Sequence, residues 1–178
     1  MHALRPLAIS CAALLVGALP FLRDWLSLRI NWTASLPIGI YATEQPQLRR
    51  GAIVLVCLPP AITRDGFDRG YLPRGSCASD ASAVGKVVAA IEGDEIELGV
   101  SSLVVNGERV SANAIMSADS FGRTLMHWPM GKYVVGRDEI WLVGVGKRSW
   151  DSRYFGPVPR SAVIASLRPL ATFALTPP

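Results

Sequence analysis

Lysine is scarce in this chain: of eighteen basic residues fifteen are arginine, and the three lysines stand at positions 86, 132 and 147. Histidine is scarcer, with His127 the single copy beyond residue 2, and no Gly-x-Ser-x-Gly elbow occurs. A Ser/His/Asp hydrolase would have to draw on that one imidazole, in an irregular Trp/Pro/Met segment, so this class is set aside. Cysteine is limited to Cys11, Cys57 and Cys77. Two thiols in the body of the chain and an isolated His127 make no ligand set, so neither a metal nor another cofactor is expected. Long basic runs and aromatic-basic alternation are also missing. The net charge of +4 would suit an anionic membrane surface, and nucleic acid is not expected as a partner.

What is present is apolar and β-forming. With 178 residues, half of them hydrophobic, the chain can build the core of one domain. Residues 6–22 form an uncharged apolar stretch bounded by Arg5 on one side and Arg23, Asp24 and Arg29 on the other. As a helix those seventeen residues reach about 25 Å, slightly less than a bilayer core of about 30 Å. The stretch therefore reads as a short membrane anchor or as the apolar region of a secretory signal, and both readings export the remainder of the chain. The division expected is an anchor or signal segment over 1–27 and a β-rich domain over 28–178.

Past the anchor, short Val- and Ile-rich runs separated by Gly, Pro or Asp predict strands over 28–34, 53–58, 84–91, 95–98, 103–110, 133–135, 139–145 and 162–167. Asn106-Gly107 marks a hairpin. Two longer stretches, 59–82 and 112–131, read as irregular, and loops of that length in a compact domain serve as lids or partner surfaces. Cys57 and Cys77 flank much of the first. In an oxidising compartment they would close a disulfide worth about 3 kcal/mol; the alternative is two unpaired thiols.

Three clusters carry chemistry. Lys86 lies in the apolar run Ala83-Val84-Gly85-Lys86-Val87-Val88-Ala89-Ala90-Ile91. An arginine keeps its proton in a protein, whereas a lysine desolvated among aliphatic side chains can become a neutral base near pH 7. On a strand Lys86 shares a face with Val84 and Val88, while Gly85 opens the other face to close approach. The plainer alternative is an exposed lysine guarding a sheet edge. Ser35, before the Pro37 and Gly39 turn residues, is the candidate nucleophile, since serine activated by lysine needs no histidine. The third cluster, residues 146–159, brings hydroxyls, Asp151 and Arg153 close together. Such a loop can hold a lysine by hydrogen bonds, with the Asp-Arg pair stiffening the support.

Together these segments resemble the type I signal peptidase superfamily of Ser-Lys serine endopeptidases, most closely the TraF conjugal-transfer peptidases of plasmids. Ser35-Leu36-Pro37-Ile38-Gly39-Ile40-Tyr41 is similar to the nucleophile box, and Gly85-Lys86 through Glu92-Gly93-Asp94 to the lysine box. Ser149-Trp150-Asp151-Ser152-Arg153-Tyr154-Phe155-Gly156 is similar to the closing box, the most specific of the three. The resemblance implies a mostly β, signal-peptidase-like antiparallel fold with Ser35 as nucleophile and Lys86 as general base. It implies Ser149 as the partner of the lysine amine, Asp151 and Arg153 as the structural or catalytic pair, and Thr33 as an aid to the Ser35 backbone N–H in holding the oxyanion. It further implies a periplasmic enzyme at the bacterial inner membrane that cleaves, or cyclises, a protein precursor such as a conjugative pilin subunit. Ser35-Leu36 in place of Ser-Met, and Val143-Gly144-Val145-Gly146 in place of Gly-Asp-Asn-Arg, depart from the general leader-peptidase pattern. A general leader peptidase and a non-catalytic periplasmic scaffold of the conjugation apparatus remain as alternatives. A self-cleaving Ser-Lys repressor is disfavoured, because export separates it from DNA.

Overall fold

The computed structural model describes residues 27–173; the expected anchor, apart from its last residue, lies outside the described residues. The described chain is mostly antiparallel β. Strands β1 (Leu28–Asn31), β2 (Ile38–Glu44), β3 (Ile53–Val56), β4 (Val84–Ile91), β9 (Glu139–Val143), β10 (Val158–Pro159) and β11 (Val163–Phe173) form one sheet in the order β1-β2-β11-β3-β4-β9-β10. Strands β5 (Glu95–Gly99), β6 (Ser102–Val105), β7 (Glu108–Ser111) and β8 (Gly131–Val134) form a second, in the order β7-β6-β5-β8. Asn106 and Gly107, both at positive φ, make the β6–β7 turn, as their sequence requires.

Side chains of β4 and β9 divide between two cores, and β3 adds to the first. Val54, Val56, Val88, Ile140 and Leu142 pack with Leu72 and Val158 in one, and Ala89, Ala90, Trp141 and Val143 pack with Ile96, Leu98, Leu103 and Val105 of the smaller sheet in the other. A third cluster, Leu36, Tyr41 and Leu167, fastens the segment after Ser35 to the sheet. An ideal Cβ on Gly85 would lie 2.6 Å from Leu36 Cδ1, so the missing side chain on β4 is what seats that leucine.

Several elements differ from the sequence reading. The strand expected over 28–34 stops at Asn31, whose side chain bonds the adjoining turn. Ile38–Glu44, where no strand was expected and whose start carries the Pro37 and Gly39 turn residues, is a strand between β1 and β11. Gly39 permits that pairing, since a Cβ there would meet Ala171 O at 2.1 Å. The last strand runs on to Phe173 rather than ending at 167, with a register shift between Pro169 and Ala171. The first irregular stretch contains a helix, α1 (Pro60–Asp68), opened by a proline in its first turn, where an N–H has no helical partner to lose. Its Ile62 and Phe67 pack on the first core. Cys57, just past β3, and Cys77 are joined in a disulfide that closes this stretch.

Candidate active site

Lys86 owes its burial to its place on an interior strand. It pairs across the sheet with Val54 on β3, while neighbouring Val87 and Val88 pair with β9. An interior strand has no edge to guard, and the lysine is 3% exposed. Its stem is desolvated, but its amine is not left unpartnered: Nζ donates to Ser149 Oγ at 2.7 Å and to Ser35 Oγ at 3.0 Å. The two hydroxyls lie 3.5 Å apart. Burial pulls the lysine pKa down to about 8 against the opposing pull of Asp151, with Arg153 adding a smaller push downward.

Ser35 reaches this point through a tight turn held from below. Asn31 Nδ2 donates to the carbonyls of Thr33, Leu36 and Pro37 at 2.9, 3.0 and 3.1 Å. Tyr41 donates its hydroxyl to Pro37 O at 2.6 Å. The loop after β9 closes on the same turn: Val145 N donates to Ser35 O at 2.9 Å. Two glycines make that approach possible. A Cβ on Gly146 would sit 2.4 Å from Ala34 O, and one on Gly144 would sit 1.9 Å from Ser149 Oγ.

Behind the hydroxyls stands the Asp151-Arg153 pair, both fully buried. Arg153 grips the carboxylate with Nε and Nη2, each at 2.8 Å, and reaches Ser149 O at 3.2 Å and Asn113 O at 2.8 Å. Asp151 also accepts from Gly144 N at 2.9 Å and caps the short helix α2 (Ser152–Phe155) by accepting from Arg153 N. Desolvation works against the charge on Arg153, but its hydrogen bonds to Asp151 outweigh that and raise its pKa. Ser152 accepts from Leu142 N, tying the helix to β9. Among the described residues no hydrogen bond joins Asp151 to Lys86 or Ser35; its contacts are to the frame that holds Ser149.

Thr33 is exposed and its hydroxyl donates to Asn31 Oδ1 at 2.8 Å. It nonetheless lines, with Ser35 and Lys86, a cavity of about 290 Å³. The other walls come from both irregular stretches, Tyr71 and Leu72 from the first and Met116, Ala118, Asp119, Ser120 and Leu125 from the second, and from Arg148, Trp150 and Tyr154 around Ser149. The two are latched where Tyr71 donates to Asp119 Oδ2 at 2.7 Å, beside an Arg123–Asp119 ion pair at 2.7 Å. His127 is exposed, its Nδ1 2.8 Å from Trp128 O, and it does not line this cavity. Among the described residues no three His, Cys, Asp or Glu side chains converge on one point.

Sequence reasoning missed Asn31, the Gly144/Gly146 pair, Arg148 and the Tyr71-Asp119 latch. The glycine pair was visible as a departure from the leader-peptidase pattern, and its spacing was the available signal. The latch joins residues 48 apart and left none.

The mostly β domain thus brings a buried lysine and two serines together at one lined cavity, and the relatives of the chain show which family carries this arrangement here. Residues 3–170 match the family described as signal peptidase, peptidase S26. The chain is 35% identical to "Plasmid transfer protein TraF" of Escherichia coli, over 91% of each protein. It is also 35% identical to "Conjugal transfer protein TraF" of Agrobacterium tumefaciens (strain 15955), over 94% of this chain and 95% of that protein. A signal peptidase I crystal structure from Enterococcus faecalis aligns over 70% of this chain and all of its own, at 19% identity and a TM-score of 0.42. The protein belongs to the signal peptidase family, peptidase S26.

Proposed function

We propose that this protein is a Ser-Lys endopeptidase of conjugal plasmid transfer, held at the bacterial inner membrane with its β domain in the periplasm. On this reading it processes a precursor protein such as a pilin subunit. The observation that carries the reading is the position of Lys86 Nζ, buried within 3.0 Å of Ser35 Oγ and 2.7 Å of Ser149 Oγ. The names and high coverage of the TraF relatives support the role in transfer. The apolar stretch over 6–22 supports the membrane tether.

The chemistry rests on the donors and acceptors. Neutral Lys86 accepts the Ser35 hydroxyl proton as Oγ attacks the scissile carbonyl, and Ser149 keeps the amine aimed. The resulting ammonium gives its proton to the leaving amine. Lys86, neutral again, activates a water that releases the acyl group; a substrate amine in that place would yield a cyclic product. The Ser35 backbone N–H faces the developing oxyanion, and Thr33 contributes its hydroxyl by turning away from Asn31. Asp151 and Arg153 act as positioning residues, because their contacts run to Ser149 and to the β9 loop.

The test is complementation of a transfer-deficient strain with Ser35→Ala, with precursor mobility followed on gels. A peptidase loses both processing and transfer. A scaffold that merely retains the fold survives the substitution, and that result would overturn the proposal.

A further inference from the structure

The charges around the cavity are unequal in a way the proposed chemistry does not require. Three charged side chains line it: Lys86, Asp119 and Arg148. Lys86 is engaged by the two serines. Asp119 is spent inward, accepting from Tyr71, from Arg123 Nε and from the backbone N–H groups of Phe121 and Arg123. Its charge is neutralised by Arg123 at 2.7 Å. Arg148 has no such partner: among the described residues no carboxylate lies within ion-pairing distance of it and no hydrogen bond engages its guanidinium. Lys147 beside it is exposed as well.

Arg148 directly precedes Ser149, and lines the same cavity as Ser35 and Thr33. Its backbone is placed by the loop that Gly144 and Gly146 allow against the nucleophile turn. A guanidinium in that place has five donors in a planar fork, the geometry that fits a carboxylate in a bidentate pair. Resting on the Ser-Lys reading of the cavity, we infer that Arg148 is a specificity-determining residue that selects substrates with an acidic side chain within two residues of the scissile bond. Leu72, Met116, Leu125 and Trp150 give the wall its apolar part, its remaining members are neutral hydroxyls and Ala118, and with Lys86 and Asp119 engaged Arg148 is left to read charge.

The test separates binding from turnover. Fluorescent, C-terminally amidated peptides built around Ala-Ala, carrying Glu, Gln or Lys at each of the two positions on either side, are titrated by anisotropy. The protein is the full chain bearing Ser35→Ala, in detergent, with and without Arg148→Gln or Arg148→Glu. At one of the four positions the Glu peptide should bind about five to ten times more tightly than its Gln twin, between the range of an exposed ion pair and that of a charge-assisted hydrogen bond. That ratio should fall to about one in Arg148→Gln, and the Lys peptide should become the tighter ligand in Arg148→Glu. High salt should shrink the preference. Equal binding of Glu and Gln peptides at all four positions would overturn the inference. So would a preference that survives Arg148→Gln, or a loss in Arg148→Glu with no exchange toward Lys. Because Ser35→Ala removes turnover, failure of the dyad chemistry would appear instead as cleavage persisting in that variant, and leaves the binding ratio readable.

Discussion

Gly144 lacks a side chain where Ser149 needs the space: an ideal Cβ on Gly144 would lie 1.9 Å from Ser149 Oγ and 2.5 Å from its Cβ. The hydroxyl could swing aside only by leaving Lys86, and the Cβ is fixed to the backbone. Gly144→Ala must therefore push Ser149 off Lys86 or push the β9 loop off Ser35, whose carbonyl oxygen lies 3.1 Å from the same ideal Cβ. Displacements of about 1 Å in a catalytic constellation can cost on the order of a hundredfold. The expected outcome is a loss of precursor processing of at least about tenfold in a protein that still shows a native near-UV spectrum. Full activity in Gly144→Ala would mean that Ser149 does not have to stand at this position.

Lys86→Arg keeps the positive charge and the apolar stem, yet it should abolish processing as fully as Lys86→Ala. A guanidinium keeps its proton at any pH a protein survives, so it cannot accept one from Ser35. Gel mobility of the precursor in cells expressing each variant distinguishes the cases. Appreciable processing by Lys86→Arg would remove the general-base role.

Much of the site could be read from residue chemistry, because its logic is local. A lysine in a Val/Ala run announces its own desolvation, and Gly85 announced the close packing that Leu36 makes. Ser149, Asp151 and Arg153 stand in one short polar-aromatic segment. The rest was hidden for physical reasons. Ile38–Glu44 pairs with a strand more than a hundred residues away, and Pro37 and Gly39 before and within it look like a turn. The helix α1 begins right after Pro59 and carries Gly66, which reads as loop until Leu72 and Trp150 are seen packed where a Cβ would be. The three carbonyls gathered by Asn31 exist only once the turn has closed.

Burial of Lys86 also costs stability. Its pKa falls from 10.5 to about 8, so between those values the unfolded chain holds a proton that the folded protein has released. Folding is therefore disfavoured by this group below about pH 8, and the penalty is relieved as pH rises toward 10.5. Replacing Lys86 by Met removes the penalty while keeping most of the volume, at the loss of two hydrogen bonds. Lys86→Met should be inactive yet more stable at pH 7 by about 1–3 kcal/mol, read from denaturant midpoints at constant slope. The gain should shrink as pH rises from about 8 toward 10.5. A destabilised Lys86→Met at pH 7 would show that the amine's hydrogen bonds outweigh its desolvation.

The same depressed pKa sets the direction of the pH profile. Lys86 is active as the neutral amine, and that form is populated above about pH 8. Below it each unit of pH removes about nine-tenths of the remaining neutral amine, so log kcat/KM should climb with unit slope from acid toward pH 8 and level off above it. The measurement is hydrolysis of a fluorogenic precursor peptide by the full chain in detergent, with solvent viscosity varied to show that chemistry limits the rate. In Ser149→Ala the amine loses a hydrogen-bond partner at 2.7 Å, and the midpoint of the climb should move while the slope stays at one. A rate that is flat across pH 6 to 9 with chemistry limiting would show that Lys86 does not titrate in the rate-determining step.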